Sequence, residues 1–220
     1  MPRCRPPSNS VKRAFLRLML PDPDALIFDF DGTLVASGDL HFSAMAAAAL
    51  RQGAEMARTW YDARTGLGRR DLMAQFSEHA HLALDVESLV QDSIAAAELR
   101  ASMARINPPV VALARRYIGI RPMAVATNGE ARVVDRILEA TDLVGLFDAI
   151  VTVDQVASPK PAPDIFLEAA RRLGVRPHGC LVLEDSNEGL AAARSAGMTA
   201  LDVRLAETLT QIDKMVPVHG

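Results

Sequence analysis

The stretch Ala25-Leu26-Ile27-Phe28-Asp29-Phe30-Asp31-Gly32-Thr33-Leu34 decides the fold, an apolar run that ends in two carboxylates and a glycine. Ala25 to Phe28 predict a short buried strand, since a β-competent apolar run closed by glycine suits the middle of a parallel sheet. Asp29 and Asp31 then stand two apart at the strand's carboxyl end, where open α/β sheets bind their ligands. Two anions so close repel each other, and they persist together only if a cation binds one or a proton neutralises the other. One carboxylate is then free to attack while its neighbour trades a proton. Gly32 allows a sharp turn and brings amide N–H groups close to an anion. A strand followed by a plain Asp-Gly turn would also produce this stretch, so the remainder of the chain has to decide.

Outward from this point, the 220 residues suffice for one α/β domain with an insertion or for two small domains. Half of them are hydrophobic and 23% are charged, the balance of a soluble globular protein. The net charge of −3 gives no general attraction to nucleic acid or to a membrane surface. Only three of the 24 basic residues are lysines, Lys12, Lys160 and Lys214, which makes Lys160 conspicuous. Cys4 and Cys180 lie at opposite ends and imply neither a disulfide framework nor a thiolate metal site, so a cytoplasmic location is expected. No apolar run approaches the ~18 residues of a membrane span. Residues 1–21 contain Arg3, Arg5, Lys12, Arg13 and Arg17 with no acidic residue, and are expected to form a flexible basic N-terminal extension.

Val35-Ala36-Ser37-Gly38-Asp39 reads as a connector, after which the pattern turns helical. Helices are predicted over 40–52, 56–64, 70–81 and 85–105, and nothing in this span alternates with period two. A compact helical bundle over residues 38–107 is therefore expected, inserted between two halves of a core, residues 22–37 and 108–220. Pro108-Pro109 marks its end, because proline disfavours helix in the residue before it. Strands are then predicted at 122–126, 149–153, 180–183 and 200–203, with helices at 110–117, 130–140, 163–173 and 187–196. Repeated strand–helix units imply a parallel, Rossmann-like α/β sheet with right-handed crossovers.

Three further stretches end strands in polar residues. Thr127-Asn128-Gly129 offers a hydroxyl and backbone amides where a helix starts, an anion site or simply a helix cap. Ser158-Pro159-Lys160-Pro161-Ala162-Pro163-Asp164 holds a lysine in a stiffened loop, and a solvated charge would look the same. Glu184-Asp185-Ser186-Asn187 closes a buried run with a second acidic pair, which alone could be a surface turn. Together, Asp29, Asp31, Glu184 and Asp185 carry too much negative charge for one sheet edge unaided. Hard oxygen ligands in that number suit Mg²⁺, which binds through one or two carboxylates plus substrate phosphate. Lys160 and the Thr127 region would complete the neutralisation of a phosphoryl group.

The four stretches Asp29-Phe30-Asp31-Gly32-Thr33-Leu34, Ala126-Thr127-Asn128, Lys160-Pro161-Ala162-Pro163-Asp164 and Leu183-Glu184-Asp185-Ser186-Asn187-Glu188-Gly189 resemble, in order and spacing, the four motifs of the haloacid dehalogenase superfamily. Within it, the helical insertion resembles the small cap of the group that holds β-phosphoglucomutase and fructose-1-phosphate phosphatase-like sugar phosphatases. The resemblance implies Asp29 as nucleophile, forming an aspartyl-phosphate, and Asp31 as general acid and then base. It implies phosphate binding by Gly32, Thr127, Asn128 and Lys160, and Mg²⁺ binding by Asp29, the Asp31 carbonyl, Asp185 and Glu184. An acid at Asp31 favours phosphoryl transfer over dehalogenation, because only the former must protonate an alkoxide.

In the cap, His41 matches a histidine that touches the leaving oxygen or Asp31 in this group, and Arg69, in Gly66-Leu67-Gly68-Arg69-Arg70-Asp71, matches an arginine presented to substrate. A capping histidine and an ordinary helix-start charge remain the plainer readings. No lysine stands between Lys12 and Lys160, which counts against a mutase that grips a second phosphate with a cap lysine. The sequence thus leads to a Mg²⁺-dependent phosphatase of a small sugar phosphate or sugar-acid phosphate. A β-phosphoglucomutase-type mutase is the alternative, and a non-catalytic binding protein on the same fold is the third reading. The expected partner is a small phosphorylated metabolite, with no nucleic acid or membrane, and the expected state is a monomer or weak homodimer.

Overall fold

A computed structural model describes residues 22–64 and 66–215; the expected basic extension, residues 1–21, lies outside the described residues. In chain order the elements are β1 (Ala25–Phe28), β2 (Val35–Ala36), α1 (Gly38–Arg51), α2 (Arg58–Asp62), α3 (Arg69–Ala80), α4 (Val86–Leu99), β3 (Arg105–Ile106), α5 (Pro108–Tyr117), β4 (Met123–Ala126), α6 (Ala131–Ala140), β5 (Ala149–Val151), α7 (Asp164–Leu173), β6 (Cys180–Glu184), α8 (Asn187–Ser195), β7 (Thr199–Asp202) and α9 (Ala206–Lys214). The five longer strands form one parallel sheet in the order β5-β4-β1-β6-β7. With β1 in the middle, the chain leaves it toward β4 on one side and returns to β6 on the other. That reversal of strand order opens a crevice at the carboxyl end of β1.

The period of two along β1 divides the interior. Leu26 and Phe28 face a core shared with Val110, Leu113, Val125 and Ile137, whereas Ala25 and Ile27 face a second core with Ile165, Phe166, Ala169 and Val182. Both faces of the sheet are thus covered, α5 and α6 on the first and α7 on the second, which is why its central strands are apolar without alternation. The first core runs on without a break into the helical segment through Leu40, Met45, Leu72, Phe76 and Leu89. In that segment α1 packs along α4, and α4 also contacts α6.

The structure departs from the sequence expectations at the ends of this segment. Residues 35 and 36 are a strand rather than part of a connector, paired antiparallel with β3 through Val35↔Ile106 and Ala36↔Arg105. The helix expected to run to residue 105 stops at Leu99, passes through a 3-10 turn at Ala101–Met103, and gives its last residues to that pairing. The two-stranded ribbon therefore joins the start and finish of the helical segment. The strand expected over 149–153 ends at Val151, because Thr152 and Gln155 cap a 3-10 turn over Val153–Gln155. A further helix, α9, follows the last expected strand; it lies against α5, where it buries Ile212.

Candidate active site

Asp29 follows β1, Thr127 follows β4, and Glu184 ends β6, so three adjacent strands deliver their polar residues to one end of the sheet. The backbone continues the register beyond the assigned strand, with Asp29 N donating to Leu183 O at 2.9 Å. Lys160 reaches in from the loop after β5. Its Nζ donates to Asp29 Oδ1 at 2.6 Å and to Glu184 Oε2 at 2.7 Å, with all three side chains buried. Asn128 holds that loop: its Oδ1 accepts from Lys160 N at 2.9 Å and its Nδ2 donates to Lys160 O at 3.3 Å. Thr127 is buried and accepts from Gly129 N at 2.9 Å.

Asp185 completes the acidic group, and ligand oxygens of Asp29, Glu184 and Asp185 lie within 4.8 Å of one another. Thr33 Oγ1 donates to Asp185 Oδ1 at 3.2 Å. Gly32 adopts φ +92°, and a Cβ there would stand 2.0 Å from Asp185 Oδ2, so a bare backbone is required where the two loops meet. The Gly32 amide donates to Val35 O at 2.7 Å, which closes the turn. On the far side, Glu184 Oε1 accepts from Ser186 N at 2.9 Å and Ser186 Oγ at 2.8 Å, while the same hydroxyl caps α8 by accepting from Gly189 N.

Burial, with the charges of Glu184 and Asp185, raises the Asp29 pKa well above its ordinary value despite Lys160. Burial and Glu184 likewise push Asp185 up to about 6. Burial opposes the charge of Lys160, yet Asp29 and Glu184 outweigh it and hold its pKa above that of a free lysine. When all three carboxylates are ionised, one ammonium against three leaves two negative charges in excess, concentrated on hard oxygens. This donor set fits a divalent cation of the Mg²⁺ or Ca²⁺ type.

Asp31 belongs to a second network. Its Oδ1 accepts from Ser37 Oγ and lies 2.8 Å from His41 Nε2. Arg69 Nη2 lies 3.3 Å from His41 Nδ1. A guanidinium can only donate, so in a neutral ring Nδ1 accepts from Arg69, and in either protonation state Nε2–H is the group that faces Asp31. Burial alone would raise the Asp31 pKa, but His41, Ser37 and the charge of Arg69 bring it below the ordinary carboxylate value. Arg69 Nε donates to Glu130 Oε1 at 2.8 Å and Nη1 to Ser93 Oγ at 3.3 Å. Thus the expected cap residues His41 and Arg69 do come to Asp31, His41 directly and Arg69 through it. Ser37 and Glu130 are additions that the motifs do not contain. Ser37 spends its hydroxyl on Asp31 instead of capping α1, and Glu130 precedes α6, where an acid also suits the helix dipole.

A family model described as haloacid dehalogenase-like hydrolase matches residues 23–197. The chain belongs to the haloacid dehalogenase-like hydrolase family. Among relatives in this family, fructose-1-phosphate phosphatase YqaB of Escherichia coli is 35% identical over 181 residues, 82% of this chain and 96% of that protein. Protein CbbY of Rhodobacter capsulatus is 35% identical over 190 residues, 79% of this chain and 82% of its own. CbbY from Rhodobacter sphaeroides, solved in complex with phosphate, superposes with a TM-score of 0.74 at 28% identity, covering 81% of this chain and 84% of that one. A mutant of that protein has also been solved with xylulose-(1,5)bisphosphate. No helix among the described residues is long and apolar enough to cross a membrane.

Proposed function

We propose that this haloacid dehalogenase-like hydrolase is a Mg²⁺-dependent phosphatase of a small phosphorylated sugar or sugar acid, working through an aspartyl-phosphate on Asp29. Its standing as a hydrolase of phosphate monoesters rests on the family and on relatives such as YqaB. The finer reading is carried by one observation, the meeting of Asp29, Glu184 and Asp185 around Lys160 at the carboxyl end of β1. In this reading the helices α1 to α4 are the cap over that end.

Asp29 attacks phosphorus, the bond from phosphorus to the ester oxygen breaks, and Asp31 gives a proton to the departing alkoxide. Asp31 then takes a proton from water, which attacks the phosphorylated Asp29 and frees phosphate and the original carboxylate. Its lowered pKa suits the second half. In the first half it must hold a proton, which the negative phosphoryl group arriving beside it favours. Lys160 stays protonated throughout, screens Asp29 and steadies phosphoryl oxygens, together with Thr127 and the amides after β4. Asp29, Asp185 and the Asp31 carbonyl would hold Mg²⁺, with Glu184 as a further ligand or as the partner of Lys160. When bound, the ion supplies charge neutralisation for the phosphoryl oxygens.

Phosphate release from fructose 1-phosphate and a panel of sugar phosphates tests this reading. Release that depends on added divalent ion and disappears in Asp29→Asn is the expected result. Isomerised sugar formed without phosphate release would defeat it in favour of a mutase.

A further inference from the structure

Arg69 stands at the start of α3, in the helical segment, and Glu130 just before α6, in the sheet-bearing part, yet their side chains meet at 2.8 Å with only 5% and 15% of their surfaces exposed. Every nitrogen of the guanidinium is engaged: Nε with Glu130, Nη1 with Ser93 and Nη2 with His41. Glu130 also follows directly on Gly129, where a Cβ would lie 3.2 Å from Asp31 Oδ2, so this pair borders the acid that serves the leaving group. A lone buried arginine here would attract any second anion on a substrate. The Glu130 carboxylate instead neutralises the guanidinium and sets its own negative charge on the same edge of the site as Asp31.

We propose that Glu130 sets the substrate class of this site, admitting phosphate esters whose remainder is uncharged and hydroxylated and turning away those with a carboxylate or a second phosphate. This rests on the phosphomonoesterase reading given above. A second anion that reached Arg69 would either displace Glu130, leaving a carboxylate buried without its partner, or share the guanidinium with it and face that carboxylate at close range. A hydroxyl has neither difficulty, because it can donate to the Glu130 carboxylate while the ion pair stays intact. The device is a repulsive one, discriminating by what it disfavours.

The experiment compares kcat/KM within matched pairs, glycerol 3-phosphate against 3-phosphoglycerate and fructose 1-phosphate against fructose 1,6-bisphosphate, at saturating Mg²⁺, with an aryl phosphate alongside. The wild type should favour the uncharged member of a pair by at least about tenfold, the scale of a like-charge contact. Glu130→Gln keeps the shape and a hydrogen bond to Arg69 and should narrow that ratio by about tenfold. A wild-type ratio at or below one, an unchanged ratio in Glu130→Gln, or turnover of the aryl ester without either uncharged ester overturns the inference. Should Glu130→Gln not fold, Glu130→Ala takes its place, with the same narrowing expected and an unchanged ratio overturning the inference. Absence of turnover on every ester overturns the phosphatase reading itself, and this inference with it.

Discussion

Lys160 holds two buried carboxylates apart from each other by standing between them, and its removal leaves like charges with no counter-ion. Lys160→Met should therefore cost about 3 kcal/mol of stability in chelator-treated protein, the scale of a broken buried pair. Urea denaturation with and without Mg²⁺ measures this, and the loss should shrink when the ion is present, because it replaces part of the missing positive charge. Turnover should fall in the same variant even where folding is complete. The residues of this cluster are legible in the sequence, since Asp29, Asp31, Lys160, Glu184 and Asp185 each sit beside glycine, proline or a strand end that makes their charge anomalous. Ser37 and Glu130 are not legible there. A serine before a helix and a glutamate at a helix start are what capping and the helix dipole ask for anyway, so a plainer cause accounts for their sequence signal.

At the level of elements, the join of β6 to α8 depends on one hydroxyl. Ser186 caps α8 through Gly189 N and donates to Glu184 Oε1, coupling the helix start to the buried carboxylate. Ser186→Ala should cost about 1 kcal/mol, as for other lost caps. Chemical denaturation gives the cost, and ion titration should show weaker divalent binding once Glu184 is less firmly held. The parallel sheet is readable from repeated strand–helix alternation, and its strands fall within a residue or two of expectation, with the largest shortfall after Val151. What escapes such reading is β2 with β3. Two-residue strands carry no periodicity, and only a partner far along the chain gives Val35 and Ala36 their extended form. The helix expected to reach residue 105 overruns for the same reason: tertiary pairing at Arg105–Ile106 overrides a local preference for helix.

Taken whole, the molecule concentrates unbalanced negative charge at one end of its sheet, and its stability should register that. The ordinary carboxyl value is 3.8, and Asp185 stands at about 6 in the folded chain, with Asp29 raised as well. A raised folded-state pKa means that the folded form binds the extra protons, so their stabilisation is complete below 3.8 and is lost as pH rises through about 6. Metal-free protein should accordingly melt at lower temperature as pH climbs from about 4 toward about 7, and saturating Mg²⁺ should lessen that decline, because the ion binds the ionised carboxylates. Thermal melts across that range check the sign. The most direct test of the central claim is phosphate release from fructose 1-phosphate by chelator-stripped protein as Mg²⁺ is added back. The account predicts no release without the ion, saturable recovery with it, and none at any concentration in Asp29→Asn; release that ignores the ion, or that survives in Asp29→Asn, would contradict it.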